Sequence, residues 1–412
     1  MTTPNCRFCH VPLTQDFVDL GNQPLANAYL TPAQLAAGDE RSYPLRTRVC
    51  GSCFLVQADD PVAADTIFDD GYAYFSSYSD SWVAHAKRYA QDMTLRFGLG
   101  PRSRVIEVAS NDGYLLQHFR DVGIPVLGIE PTGNTAQVAI DNGIPTEVSF
   151  FNDATGRDLA ARGITADLMA GNNVLAHVPD IGDFVAGFPH VLKPQGVLTF
   201  EFPHLLNLIE RVQFDTIYHE HYSYLSLLAV EKVLRSKGLR PFDIELLSTH
   251  GGSLRVFCCH QAAGHAETQG LQNLRDREAV AGLHRLATYD GFTARVEAVR
   301  DAFLGFLQQA KADGKRVAAY GAAAKGNTFL NYAGVGTADI VAAFDANPHK
   351  QDHALPGSHI PVYAPVKVTE IKPDYLLILP WNLKDEIMDQ MAYIRAWGGA
   401  FVTASPEPKV WP

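Results

Sequence analysis

The densest group of reactive side chains runs from Phe214 to Tyr224, reading FDTIYHEHYSY. It fits neither an amphipathic helix nor an alternating strand, and such a break in local patterning marks a functional segment. Tyr218, Glu220 and His221 supply the parts of a general acid–base centre. The imidazole titrates near neutrality, a carboxyl can fix its tautomer, and a phenol can donate to a developing oxyanion. Two other readings stay open. His219 and His221 form a His-x-His pair that could take a metal, without an evident third ligand and outside the H-E-x-x-H pattern. The segment could also be a buried structural network of Tyr and His. A second polar group, Thr249-His250-Gly251-Gly252-Ser253-Leu254-Arg255, has a Gly pair that lets backbone approach a ligand. His250 and Arg255 are candidate substrate contacts there, Arg255 for a phosphate or else for a carboxylate of the chain itself.

Four of the six cysteines form two C-x-x-C pairs, Cys6/Cys9 and Cys50/Cys53. Four thiolates on two tight turns are a tetrahedral zinc ligand set. Redox chemistry needs one such pair beside a suitable helix. A structural zinc is therefore expected, holding a module too small to fold on its own apolar core. Cys258 and Cys259 are neighbours in a strand, so they point to opposite faces and are expected to be packing residues.

These groups need elements to position them. Residues 1–65 are short segments broken by Pro and Gly and form the expected zinc module. The stretch from Tyr72 to Tyr78 is rich in Tyr and Ser and reads as a linker, leading into a helix with Val83, Ala86, Tyr89 and Met93 on one face. From about 103 to 205 strand and helix alternate, with strands at Val105–Val108, Val126–Glu130, Asp167–Ala170 and Val197–Glu201. That alternation predicts a parallel α/β sheet. A strand at Ser253–Phe257 and one long helix from about 275 to 313 follow. A second α/β unit has strands at Arg316–Gly321, Ile340–Asp345 and Tyr375–Pro380. Glu107 precedes Glu130 by 23 residues and Gly321 precedes Asp345 by 24, which suggests two doubly wound domains in tandem. The division expected is 1–65, 66–300 and 301–412.

The first strand of the central unit runs into Ala109-Ser110-Asn111-Asp112-Gly113, a loop of small residues opening a helix, where a polar or anionic group is favoured. Glu130, ending the next strand, is placed to accept from ribose hydroxyls. This combination resembles the class I S-adenosylmethionine-dependent methyltransferases. The likeness rests on Glu107, Ala109, Asn111, Gly113 and Glu130, with Asn172 and Asn173 at the end of the fourth strand. The family loop has more glycines; Ala109 and Asn111 stand in place of two of them. A Rossmann-like fold for another nucleotide is the competing reading.

Taken in order along nearly the whole chain, these pieces look like the sugar C-methyltransferases of branched deoxysugar biosynthesis. The resemblance implies a zinc module, a methyl-donor domain and a C-terminal Rossmann-like domain that helps bind a nucleotide-diphosphate sugar. It also implies methyl transfer to a ring carbon, C3 in the first instance, beside the keto group of a 4-keto-6-deoxy sugar. The family's Tyr-x-Glu-His motif matches Tyr218, Glu220 and His221, and its last His is the base. The family's fourth-strand active-site His matches His177. Lys325 and Asn327, in the loop Tyr320–Thr328, are expected at the substrate, and Tyr74 to Trp82 over the methyl donor. Two rivals remain: a nucleotide-sugar oxidoreductase, which would need a dinucleotide fingerprint the chain lacks, and a zinc-ribbon binding protein without catalysis.

Composition sets the outer bounds. The 412 residues carry 34 Lys plus Arg against 45 Asp plus Glu, a net charge of −11, which disfavours nucleic-acid polymers and anionic membranes as partners. Six cysteines in this length exclude a disulfide-stapled scaffold. No signal peptide and no transmembrane span are visible, so a reducing cytoplasmic setting is expected. Oligomeric state is left open.

Overall fold

The computed structural model describes residues 3–59 and 75–412. Tyr72, Tyr74 and the expected module boundary at residue 65 lie outside the described residues.

The N-terminal strands β1 (Gln15–Pro24), β2 (Ser42–Val49) and β3 (Val56–Ala58) form an antiparallel meander. Each C-x-x-C pair sits on a turn closed by a backbone bond, Cys6 N–H to Val11 at 2.8 Å and Cys50 N–H to Leu55 at 3.0 Å.

The central domain contributes β4 (Val105–Val108), β5 (Val126–Glu130), β6 (Thr146–Val148), β7 (Ala166–Asn172) and β8 (Leu192–Pro203). Next come β9 (Ser223–Tyr224), β10 (Leu239–Leu247) and β11 (Ser253–His260). Seven of these make one sheet in the order β10-β11-β8-β7-β4-β5-β6. The strands from β6 to β8 are parallel, and β11 and β10 close the edge antiparallel. All of β4 is buried, as a parallel strand covered on both faces must be, which is why it reads as an unbroken apolar run apart from Glu107. The chain turns one way from β4 to β5 and the other from β7 to β8. A crevice therefore opens at the carboxyl ends of β4 and β7. β9 leaves this sheet and pairs with β3, extending the N-terminal sheet to β1-β2-β3-β9.

The C-terminal domain has β12 (Val317–Tyr320), β13 (Ala343–Phe344), β14 (Val362–Tyr363), β15 (Tyr375–Ile378), β16 (Ala400–Thr403) and β17 (Lys409–Trp411). Their order is β14-β13-β12-β15-β16-β17, parallel except for β17. The repeated sequence spacing corresponds to a repeated turn. Glu130 accepts from the Asn111 N–H at 2.9 Å, and Asp345 accepts from the Ala322 N–H at 2.7 Å.

One expected element differs. The long helix from 275 to 313 is two helices, Gln269–Val280 and Phe292–Ala312. Gly282 and Gly291 between them have φ of 80° and 77°, the left-handed conformation that ends helices. The second helix joins the outer domains, since Phe292 stacks on Phe17 of β1 at 4.3 Å in a core shared with β12 and β15. Cys258 and Cys259 are fully buried in separate cores on opposite sides of β11. No helix among the described residues is long and apolar enough to cross a membrane.

Candidate active site

A cavity of 380 Å³ occupies the crevice beyond β4 and β7, within the size range of small-molecule sites. Asn27 reaches it from the N-terminal domain and Ala323, Ala324, Lys325 and Lys350 from the C-terminal one.

On one side lie Ala109, Asn111, Glu130, Asn172 and Asn173. Ala109 and Asn111 have φ of 57° and 51°, so they take the left-handed conformation normally given to glycine. Asn does this at little cost; for Ala it stores of order 1 kcal/mol or more, as functional loops do. The Glu130 carboxylate accepts from the N–H groups of Asn111 (2.9 Å) and Thr132 (3.0 Å) and from the Thr132 hydroxyl (2.5 Å). A carboxylate has about four acceptor sites, so capacity remains for a ribose hydroxyl. The side-chain oxygens of Asn172 and Asn173 are buried without a partner among the described residues. Both face the cavity and suit an ammonium or hydroxyl donor. These donors and acceptors fit S-adenosylmethionine.

Tyr218, Glu220, His221 and His177 form the adjoining wall. His221 Nδ1 lies 2.8 Å from the Thr216 carbonyl. A carbonyl only accepts, so Nδ1 carries the proton and Nε2 keeps its lone pair. Burial, then the neighbouring His177, hold its pKa well below the usual histidine value, so the ring is a neutral base at pH 7. His177 meets it edge to face with ring centroids 4.6 Å apart, and Tyr218 lies against it at 4.1 Å. Burial lowers His177 to about 4, opposed by a hydrogen bond to the Glu220 backbone. Burial raises Glu220 to about 7, while its Oε1 accepts from the Asn27 amide at 2.5 Å. His219 turns away, donating to the Pro44 carbonyl at 3.2 Å and packing on Tyr43.

On the far side, His250 and Lys325 line the cavity. Burial lowers His250 to about 4. Lys325 donates to Asn382 at 2.6 Å and lies over the Trp381 ring.

Four expected site residues stand elsewhere. Glu107 is fully buried inside the sheet, and burial raises its carboxyl well above the ordinary range, against the opposing bond from Tyr114. Gly113 shapes the loop from behind, where a Cβ would come within 3.0 Å of Ile144. Asn327 is buried and donates to the Ala26 carbonyl at 2.6 Å. Arg255 is consumed by Glu201 at 2.7 Å and Glu245 at 2.6 Å, which leaves its guanidinium inside the protein. Burial alone would raise Glu201, but His85 and Arg255 hold it down to about 2.

Two lining residues from the outer domains, Asn27 and Lys350, escaped the sequence reading. Asn27 sits in no motif. Lys350 donates to the Ala322 carbonyl at 2.7 Å and lies 3.7 Å from Asp345. The Gly321–Asp345 spacing was the one signal pointing to its neighbourhood.

The sulfurs of Cys6, Cys9, Cys50 and Cys53 lie within 4.8 Å of one another, with Cys6–Cys53 at 3.5 Å and Cys9–Cys50 at 3.4 Å. Tetrahedral thiolates on zinc stand about 3.8 Å apart, given zinc–sulfur bonds of about 2.3 Å. The Gln57 amide donates to Cys6 Sγ at 3.2 Å and the Ser52 N–H to Cys50 Sγ at 3.4 Å, as suits thiolates. The set fits one zinc ion.

Three family models match the chain. One described as "Putative zinc binding domain" covers residues 6–68, "Methyltransferase domain" covers 82–242, and "C-methyltransferase C-terminal domain" covers 248–406. Among curated relatives, C-methyltransferase NovU of Streptomyces niveus is 36% identical over 405 residues, 98% of this chain and 96% of its own. A ubiquinone biosynthesis O-methyltransferase of Mesorhizobium japonicum is 28% identical over 119 residues, 27% of this chain and 48% of its own. Among solved structures, magnesium protoporphyrin IX methyltransferase from Synechocystis aligns over 48% of this chain and 88% of its own, at 15% identity and a TM-score of 0.33.

Proposed function

The chain belongs to the S-adenosylmethionine-dependent C-methyltransferase family, and on that premise we propose that it methylates a nucleotide-linked 4-keto-6-deoxy sugar at C3, beside the keto group. The observation that carries this reading is the tautomer of His221, whose Nδ1–H is spent on Thr216 and whose Nε2 is left as a neutral base. A C–H beside a ketone is a weak acid, so its removal needs a positioned base and a stabilised enolate.

His221 Nε2 takes the proton from the ring carbon. Tyr218, with Asn173 beside it, holds the oxygen on which the negative charge gathers, while His177, its N–H spent on the Glu220 carbonyl, offers its other nitrogen to a sugar hydroxyl. Glu220 enters this wall protonated over much of the range below pH 7, so it can donate to a sugar oxygen. Glu130, Ala109, Asn111, Asn172 and Asn173 would hold the methyl donor. When bound, S-adenosylmethionine supplies the methyl as a sulfonium group, the sulfur keeping the bonding pair. Lys325, Lys350 and His250 supply donors for the nucleotide's phosphates. A zinc ion on the four cysteines would be structural. Four cysteines gathered as a metal-ligand set suit a reducing, cytoplasmic setting.

The test is a mass-shift assay over a panel of 4-keto nucleotide sugars with S-adenosylmethionine, run in deuterium oxide. A gain of one methyl is expected in the product, and deuterium is expected at the carbon beside the ketone in sugar incubated with S-adenosylhomocysteine in place of the methyl donor. Calorimetric binding of S-adenosylhomocysteine with no turnover of any 4-keto nucleotide sugar would falsify the substrate assignment. Binding of NAD in its place would favour an oxidoreductase.

A further inference from the structure

A zinc site in a small N-terminal module would ordinarily be remote from catalysis. Here a side chain of the first cysteine turn reaches the catalytic loops. Arg7 lies between Cys6 and Cys9, and its backbone N–H donates to Gln57 Oε1 at 2.8 Å. Gln57 is buried, and its amide nitrogen donates in turn to Cys6 Sγ at 3.2 Å. The backbone of Arg7 is thus fixed to the metal-ligand turn.

Its guanidinium leaves that turn and ties three strands of chain together. Nη1–H donates to the Pro179 carbonyl at 2.8 Å, and Nη2–H donates to the Ala58 carbonyl at 2.7 Å. The guanidinium carbon lies 5.3 Å from the centre of the Tyr222 ring. Pro179 is two residues beyond His177, and Tyr222 follows His221 directly. Backbone bonds close the junction: Ala58 N–H to Tyr222 at 3.0 Å, Tyr222 N–H to Ala176 at 2.8 Å, and Ser223 N–H to Ala176 at 3.1 Å. One planar fork therefore spans the loops whose histidines meet at 4.6 Å. A lysine carries its donors on a single nitrogen, so it would have to draw both carbonyls to one atom and lacks the planar fork that spans them here.

We infer that Arg7 is a positioning residue for methyl transfer, fixing the relative placement of His177 and His221 from the zinc turn. This rests on the reading of those two histidines as the catalytic pair. A displacement of about 1 Å in a reacting group costs about a hundredfold in rate, so a modest loosening of this junction is kinetically visible.

The experiment compares zinc-loaded Arg7→Met, Arg7→Lys, His221→Asn and Arg46→Met with the wild type. Arg46 pairs with Asp19 on the surface of the same module and controls for module stability. Both Arg7 variants are expected to keep one zinc per chain and wild-type affinity for S-adenosylhomocysteine. Amide exchange in peptides covering 174–180 and 216–224 should speed up about fivefold or more, with β4 and β5 unchanged. The kcat on the responsive 4-keto nucleotide sugar should fall about ten- to hundredfold, with Arg7→Lys regaining only a small part. Wild-type exchange at both peptides, wild-type kcat in Arg7→Met, or a loss shared equally by Arg46→Met overturns the inference. Full activity in His221→Asn would instead overturn the base assignment, which separates the two failures.

Discussion

Trp381 of the C-terminal domain donates its indole N–H to the buried carboxyl of Asp215 at 2.6 Å, one residue before the carbonyl that fixes His221. Burial raises the Asp215 carboxyl, with the charge of Lys325 pulling the other way. Gly251 makes room for the indole, since a Cβ there would fall 2.2 Å from the Trp381 ring. Trp381→Phe keeps the ring but strands the acceptor. A loss of about 1–3 kcal/mol in urea unfolding is expected. A drop in kcat greater than any change in S-adenosylhomocysteine affinity should accompany it.

His221→Asn leaves a side chain that can still donate to Thr216 but cannot take a proton. Methyl transfer is expected to fall about 10²- to 10⁴-fold. Calorimetry with S-adenosylhomocysteine should show unchanged binding, because the methyl-donor wall is built from other loops.

The pH dependence separates two kinds of buried group. Glu220 titrates at about 7 instead of the ordinary 4.5, so it favours the folded state below pH 4.5 and that contribution is lost as pH rises to 7. Glu220→Gln should therefore gain stability over the wild type between pH 5 and pH 8, by no more than about 3 kcal/mol. His177 and His250 sit at about 4 instead of 6.5, so the stability they contribute is present above pH 6.5 and lost as pH falls toward 4. Urea midpoints of wild type and Glu220→Gln across this range check both signs.

Arg255→Met tests whether that residue is structural. It leaves the fully buried Glu201 with His85 and Thr249 as its side-chain partners among the described residues. A cost of about 3–5 kcal/mol is expected, the usual result of orphaning a buried charge. In protein that remains folded, KM for the nucleotide sugar should be unchanged. A selective rise in KM without loss of stability would return Arg255 to the substrate.

The parallel sheet was legible because buried strands such as Val105–Val108 are short apolar runs ending in loop residues. The cysteine pairs and Tyr218-x-Glu220-His221 were legible because their chemistry needs those types at those spacings. Arg255 stayed between two readings because an arginine near glycines looks the same whether it meets a phosphate or Glu201, and Glu201 lies 54 residues away in sequence. Asn27 was invisible for a related reason: its partner Glu220 is 193 residues distant. The left-handed backbone at Ala109 was hidden, since alanine does not advertise a positive φ, whereas Asn111 is a residue type that takes one readily. The break in the long helix was marked by Gly282 and Gly291, but helical periodicity on both sides outweighed them.

The pairing of β3 with β9 sets an order on the birth of the protein. When β3 leaves the ribosome its open edge has no partner until Ser223 and Tyr224 are made, roughly 165 residues later. At about 5–20 residues per second that is a wait of roughly ten to thirty seconds. Through that interval the meander is a sheet with one bare edge, the kind of surface that recruits other strands. A shortened chain ending before β9 would carry that edge permanently, so the N-terminal module is built to mature only in company with the segment that holds His221.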